Sequence, residues 1–209
     1  MAKTFLRSSP ATSLTLELDW VSGRDPNASA LDHLSSILHR ECDKPAGIEI
    51  RKSDQIASGR SSWTVEELVA LEQRYRSFHS GGSRAAIWMV YVDGSFGPNQ
   101  DALAVSFSAT AAAVFRDRLQ DASSSLVPES AIERSVITHE MGHLMALVNI
   151  GYTSKYNHED PQHPHHSNDR NSVMYWAVED ISVRTILRGG PPDDYDTYDR
   201  ADLAMLRGH

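Results

Sequence analysis

Leu14, Leu16 and Leu18 alternate with Thr15, Glu17 and Asp19. That period of two predicts a strand ending near Trp20. Turn chemistry over residues 23–27 then gives way to helical spacing at Leu31, Leu34, Ile37 and Leu38, which predicts a helix over 30–42. Lys44-Pro45-Ala46-Gly47 stops it, and Ile48 and Ile50 open a second strand. Residues 13–54 therefore read as a strand–helix–strand unit on one sheet. Thr64 followed by Glu67 has the spacing of a capped helix start, predicting a helix over 65–78 that Gly81-Gly82 ends. The run AAIWMVYV over 85–92 is continuously apolar and predicts a central strand. Short strands are expected over 102–107 and 111–115. Helical spacing returns over 130–148, with Ile132, Val136, Ile137, Leu144 and Leu147 among its apolar positions. Residues 151–171 are polar, rich in Pro and His, and read as irregular. Val173-Met174-Tyr175-Trp176 is a short apolar island, and residues 198–206 read as a closing helix with Gly208 at its end. Residues 1–12 read as a loose, flexible tail.

Composition narrows the function classes. The chain has 209 residues, 40% of them hydrophobic and 23% charged, which fits one folded domain and not a disordered chain. Its formal charge of −8, without a basic run, argues against nucleic-acid binding. No apolar stretch reaches the roughly 18–20 residues that span a bilayer. Cys42 is the single cysteine, so no internal disulfide forms, and it reads as a structural thiol. The first residues lack a long apolar segment and a cleavage site, so a cytoplasmic location is expected, with secretion after loss of a leader left open. Histidine is the outlier: six of the ten lie between His139 and His166.

Two of those six belong to His139-Glu140-Met141-Gly142-His143, an H-E-x-x-H pattern inside an expected helix. Residues four apart share a helical face, so both imidazoles can reach one Zn²⁺. Glu140, next to the first histidine, can reach a water on that ion and serve as general base, then as proton donor to the leaving amine. A third protein ligand is needed, with one position left open. In the short continuation H-E-x-x-H-x-x-G-x-x-H the remaining positions fall on Ala146 and Asn149, and neither matches. The candidates that remain are His158, His163, His165 and His166.

HEMGH on a helix, the preceding strand–helix–strand and strand cluster, and Met174 in SVMYW together resemble the metzincin clan of zinc metallopeptidases. The segment from His166 to Met174 resembles archaemetzincins, in which the third zinc histidine is followed by Cys-x4-Cys-x-Met; here it reads H-S-x4-S-x-M. The resemblance implies an α+β fold: a mixed sheet, an active-site helix carrying the HExxH motif, and a small irregular C-terminal lobe with a Met-turn and closing helix. Residues 13–209 would form a single catalytic domain, the upper lobe spanning about 13–146 and the lower about 147–209, with the cleft between. It picks His166 as third ligand beside His139 and His143, and Met174 as the Met-turn residue. His158 is the second choice, because Glu159 and Asp160 beside it could place a carboxylate behind its ring.

The stretch from Leu147 to His165 reads as an insertion, tolerable because loop-closure entropy grows slowly with length. Its first reading is a polar lid. A second metal on Glu159, Asp160, Asp169 and spare histidines is the alternative. The structural-zinc cysteines of archaemetzincins are absent. Tyr175 and Trp176 read as aromatic core, or else as cleft wall. A strand within 102–115 would form the cleft's upper rim and pair with extended substrate. The implied activity is a zinc-dependent metalloendopeptidase with one catalytic ion, acting on protein or peptide. A non-catalytic zinc-binding or interaction protein, using the His-rich loop, is the rival.

Overall fold

A computed structural model describes residues 2–180 and 190–208. Its first element corrects the expected loose tail. Helix α1 (Ala2–Leu6) buries Phe5 and Leu6 completely. The Lys44 ammonium donates to the carbonyls of Thr4, Arg7 and Ala11 and pins the segment that follows. Two apolar residues are too few to show a period, yet they are enough to dock.

Strands β1 (Ser13–Val21) and β2 (Ile48–Ile56) run parallel, joined by helix α2 (Ala28–Glu41). Asn27 caps α2, its side-chain oxygen accepting from the Ser29 and Ala30 amides. Strand β3 (Ser62–Trp63) precedes helix α3 (Val65–Tyr75), which begins with the expected Thr64–Glu67 capping box. The helix stops short of residue 78 because the Ser77 and Phe78 amides turn to donate to the buried Glu17 carboxylate. Strand β4 (Arg84–Val92) is the central apolar strand, and β5 (Ser95–Phe96) pairs with β3. Strands β6 (Ala104–Ser108) and β7 (Ala111–Phe115) follow, then helices α4 (Arg116–Ala122) and α5 (Glu129–Leu144). A small hairpin of β8 (Glu159–Asp160) and β9 (His163–Ser167) interrupts the region expected to be irregular. One turn of 3-10 helix (Trp176–Val178) and helix α6 (Thr197–Arg207) complete the chain.

The main sheet has the order β2-β1-β4-β7-β6. All neighbours are parallel except β6, which pairs antiparallel with β7 and forms one edge. One face packs against α2 and α5 through Leu16, Leu18, Ile87, Met89 and Tyr91. The other packs against α3 through Trp88, Val90 and Leu68. The alternation in β1 is therefore not an inside–outside pattern: its polar face is covered too, with Glu17 and Asp19 buried among backbone and indole donors. This is an α+β fold on a mixed sheet, and α5 is buried on nearly every side. No helix among the described residues is long and apolar enough to cross a membrane.

Candidate metal centre

Helix α5 carries His139, Glu140 and His143, then ends four residues before the expected 148. The Ala146 amide donates to His143 O, and the Leu147 amide donates to Gly142 O. That bond pair closes a helix through a left-handed residue, a place usually taken by glycine. Here Ala146 adopts φ +67°, and Val148 and Asn149 are also left-handed. The chain is thereby turned back, so that the β8–β9 hairpin returns beneath the helix end.

His166, on β9, meets the two helical imidazoles. His139 Nε2 and His143 Nε2 are 2.9 Å apart, and the His166 ring centroid lies 5.3 Å from that of His139 and 5.0 Å from that of His143. Glu179, just after the 3-10 turn, completes the group. Its Oε2 lies 3.2 Å from His166 Nε2, 3.7 Å from His139 Nε2 and 3.9 Å from His143 Nε2. Each residue offers one ligand atom, all four within 4.8 Å of one another.

The hydrogen bonds behind the rings fix which nitrogen faces the centre. His139 Nδ1–H donates to Val173 O at 2.7 Å, and His166 Nδ1–H donates to Pro164 O at 3.0 Å. A carbonyl can only accept, so in the neutral rings both Nε2 atoms are bare lone pairs. Bare nitrogens converging beside a carboxylate repel one another unless a cation sits among them. Three imidazoles and a carboxylate are a donor set suited to zinc. The residues present thus fit the ion that the sequence implies.

One segment supports both outer rings. Val173 supplies the carbonyl for His139, and Met174 O accepts from the Ser167 amide on β9. Met174 lies fully buried against α5, where a Cβ on Gly142 would collide with its sulfur. Tyr195 packs on the same glycine and donates its hydroxyl to Thr138 O.

Glu140 is buried, and Ser106 on the edge strand β6 donates to its Oε2 at 2.6 Å, while Oε1 has no partner among the described residues. Burial pushes its carboxyl up to about 7, against the opposing effects of His139 and Ser106. Burial, with His139 and His166 beside it, holds His143 well below the usual imidazole range. At Glu179 burial is outweighed by the neighbouring His139 and His166 rings, which hold the carboxyl low. The Glu179 carboxylate beside it raises His139 in spite of its burial. A cleft of about 400 Å³ opens on this group, lined by Ser106, Glu140, His143 and His166 with apolar neighbours such as Leu144 and Ile150.

The other histidines go elsewhere. His158 is buried 44 residues before Asp202, to which its Nε2–H donates at 3.0 Å, away from the centre. His163 Nδ1–H donates to Asp160, and its ring stacks on Trp176 at 4.3 Å. His165 lines the cleft, but its Nδ1 faces Val148 O. Tyr175 and Trp176 are not among the residues lining this cleft. Glu159, Asp160 and Asp169 do not gather into a second metal group: Glu159 accepts from Asn149 and the His165 amide, and Asp160 and Asp169 hold local turns. Sequence reasoning missed Glu179 and Ser106. The acidic pair Glu179-Asp180 after the apolar island was the only signal for the first, and nothing distinguished the second.

No protein-family profile matches the chain, and no curated protein matches it in sequence. Solved structures do match. An archaemetzincin from Methanopyrus kandleri superposes with a TM-score of 0.62 at 13% identity, covering 94% of this chain and 97% of that one. Metalloproteinase-II from Bacteroides fragilis superposes with a TM-score of 0.51 at 13% identity, covering 97% of this chain and 55% of that one. At this identity the likeness is one of architecture: the chain has an archaemetzincin-like fold.

Proposed function

We propose that the chain is a zinc-dependent metalloendopeptidase, with residues 13–209 acting as one catalytic domain. The observation that carries this reading is the convergence of three imidazoles on one point, with the partnerless Glu140 oxygen beside it. His139, His143 and His166 would hold the ion through Nε2, and Glu179 would place a compensating negative charge beside it while one position stays open for water. When bound, zinc supplies Lewis acidity, polarising the scissile carbonyl and acidifying water.

The chain's own residues do the rest. Val173 O and Pro164 O hold the His139 and His166 rings in the tautomer that presents Nε2. Ser106 fixes one Glu140 oxygen and leaves the other to take the proton of the attacking water. As the new carbon–oxygen bond forms and the carbon–nitrogen bond breaks, Glu140 returns that proton to the leaving amine. Among the described residues strand β6 pairs with β7 alone, so an extended substrate can add along its other edge, next to Ser106. Met174 shapes the floor under Gly142 and takes no part in metal binding.

The test is cleavage of a peptide pool by the zinc-loaded protein, followed by mass spectrometry, beside Glu140→Gln. The variant should keep its zinc and lose on the order of 10²–10⁴-fold in rate. Zinc-loaded wild type with no Glu140-dependent cleavage would instead favour a non-catalytic zinc-binding protein.

A further inference from the structure

A second group of buried donors lies behind the Met174 segment, at the start of α6. Asp196 caps that helix: its Oδ1 accepts from the Tyr198 and Asp199 amides, and its Oδ2 is buried without a hydrogen-bond partner among the described residues. Asp199 likewise uses one oxygen for the fold. Its Oδ2 accepts from Ser172 Oγ–H at 2.6 Å and from the Asp196 amide, while Oδ1 is buried without a hydrogen bond among the described residues. His158, fully buried, donates Nε2–H to Asp202 at 3.0 Å, which leaves Nδ1 a bare lone pair with no hydrogen bond. Asp202 is in turn held by the Tyr152 and Ser154 hydroxyls.

Three side chains thus each spend one atom on the fold and leave another unused. His158, Asp196 and Asp199 form a group whose ligand atoms lie within 4.8 Å of one another. His158 Nδ1 stands 3.6 Å from Asp199 Oδ1, within ion-pair reach of a protonated ring but too long for a hydrogen bond. Among the described residues no lysine or arginine pairs with Asp196, Asp199 or Asp202. A carboxylate behind an imidazole whose other nitrogen faces two more carboxylates is the arrangement that orients a metal-binding histidine.

We propose that His158, Asp196 and Asp199 bind a second divalent cation, zinc, through Nδ1 and one carboxylate oxygen each, with water completing the shell. The ligand set is nitrogen and oxygen, drawn from the inserted segment and the closing helix. The ion would tie three pieces together: the insert at His158, the start of α6, and the 172–174 turn, through Ser172. Ser172 donates to Asp199 and accepts from the Met174 amide, so the site braces the segment whose Val173 carbonyl orients His139. Its role is structural, and it does not depend on catalysis at the first centre.

The test strips the full chain with chelator, offers zinc in excess, dialyses, and measures zinc per chain by elemental analysis. Circular dichroism checks the fold of each variant. Asp196→Asn is the principal variant, because asparagine caps a helix as well as aspartate does yet removes the anionic ligand. Wild type should hold two zinc ions and Asp196→Asn one. His139→Ala/His143→Ala should hold one, and adding Asp196→Asn to that pair should bring it near zero. His158→Asn should match Asp196→Asn. Equal zinc in wild type and Asp196→Asn would overturn the second site. One zinc in wild type, lost with Asp196→Asn but kept without His139 and His143, would uphold it while sinking the catalytic centre.

Discussion

Asp19 sits in the interior of the sheet, where the Trp88 indole and the Asp54 amide both donate to its carboxylate. Burial still pushes this carboxyl up to about 6 from an ordinary 3.8, with Glu17 adding to the rise. The folded chain therefore holds a proton that the unfolded chain releases. The stability this group confers is full below about 3.8 and is lost as pH rises through about 6. A shift of that size amounts to up to about 3 kcal/mol. Urea unfolding should therefore show wild type losing stability relative to Asp19→Asn between pH 4 and 7, so that the gap between the two changes with pH. A gap that stays constant would contradict the account. The sequence placed Asp19 on the polar side of an alternating strand. It could not reveal that this side is covered, because the cover comes from α3 and residues 76–78, set by contacts far along the chain. The same limit hid Glu179 and Ser106. HEMGH, by contrast, was legible because one turn of helix brings its residues together without help from anywhere else.

At the scale of elements, the end of α5 decides where the hairpin carrying His166 can go. Ala146 holds a left-handed conformation that costs an L-residue roughly 1–2 kcal/mol and glycine almost nothing. Ala146→Gly should raise stability by about 0.5–1 kcal/mol, after allowing for the freer unfolded chain. Chemical denaturation checks this, and a loss would argue against the left-handed turn. The other end of α5 is anchored by Glu133, fully buried, which accepts from Arg116 and from the Asn27 amide at 2.8 Å. Arg116→Met would strand that charge and should cost about 3–5 kcal/mol in the same assay. A change under 1 kcal/mol would show that the pair does not hold the helix. Elements with a strong local period were read correctly: β1, α2, β2 and β4 lie within a few residues of their expected places. The miss at residues 145–148 followed from periodicity that carried on past a turn made without glycine. Helix α1 and the β8–β9 hairpin carried too few apolar positions to show a period at all.

Across the whole molecule, the proposed metal centre is where distant segments meet: α5 from the middle of the chain, β9 from the insert, and the segment after Met174. The strand–helix–strand unit and the central strand were legible because they are local. The choice of His166 among four loop histidines rested on resemblance, since no spacing rule says which one folds back; the structure sets His166 beside His139 and His143, and turns His158 towards α6. The measurement that tests the central claim most directly is an anomalous-scattering map, at the zinc edge, of crystals grown with zinc. The account predicts a peak about 2.0–2.1 Å from Nε2 of each of His139, His143 and His166. A map with no peak among these three rings, or one whose peak leaves His166 out, would contradict it.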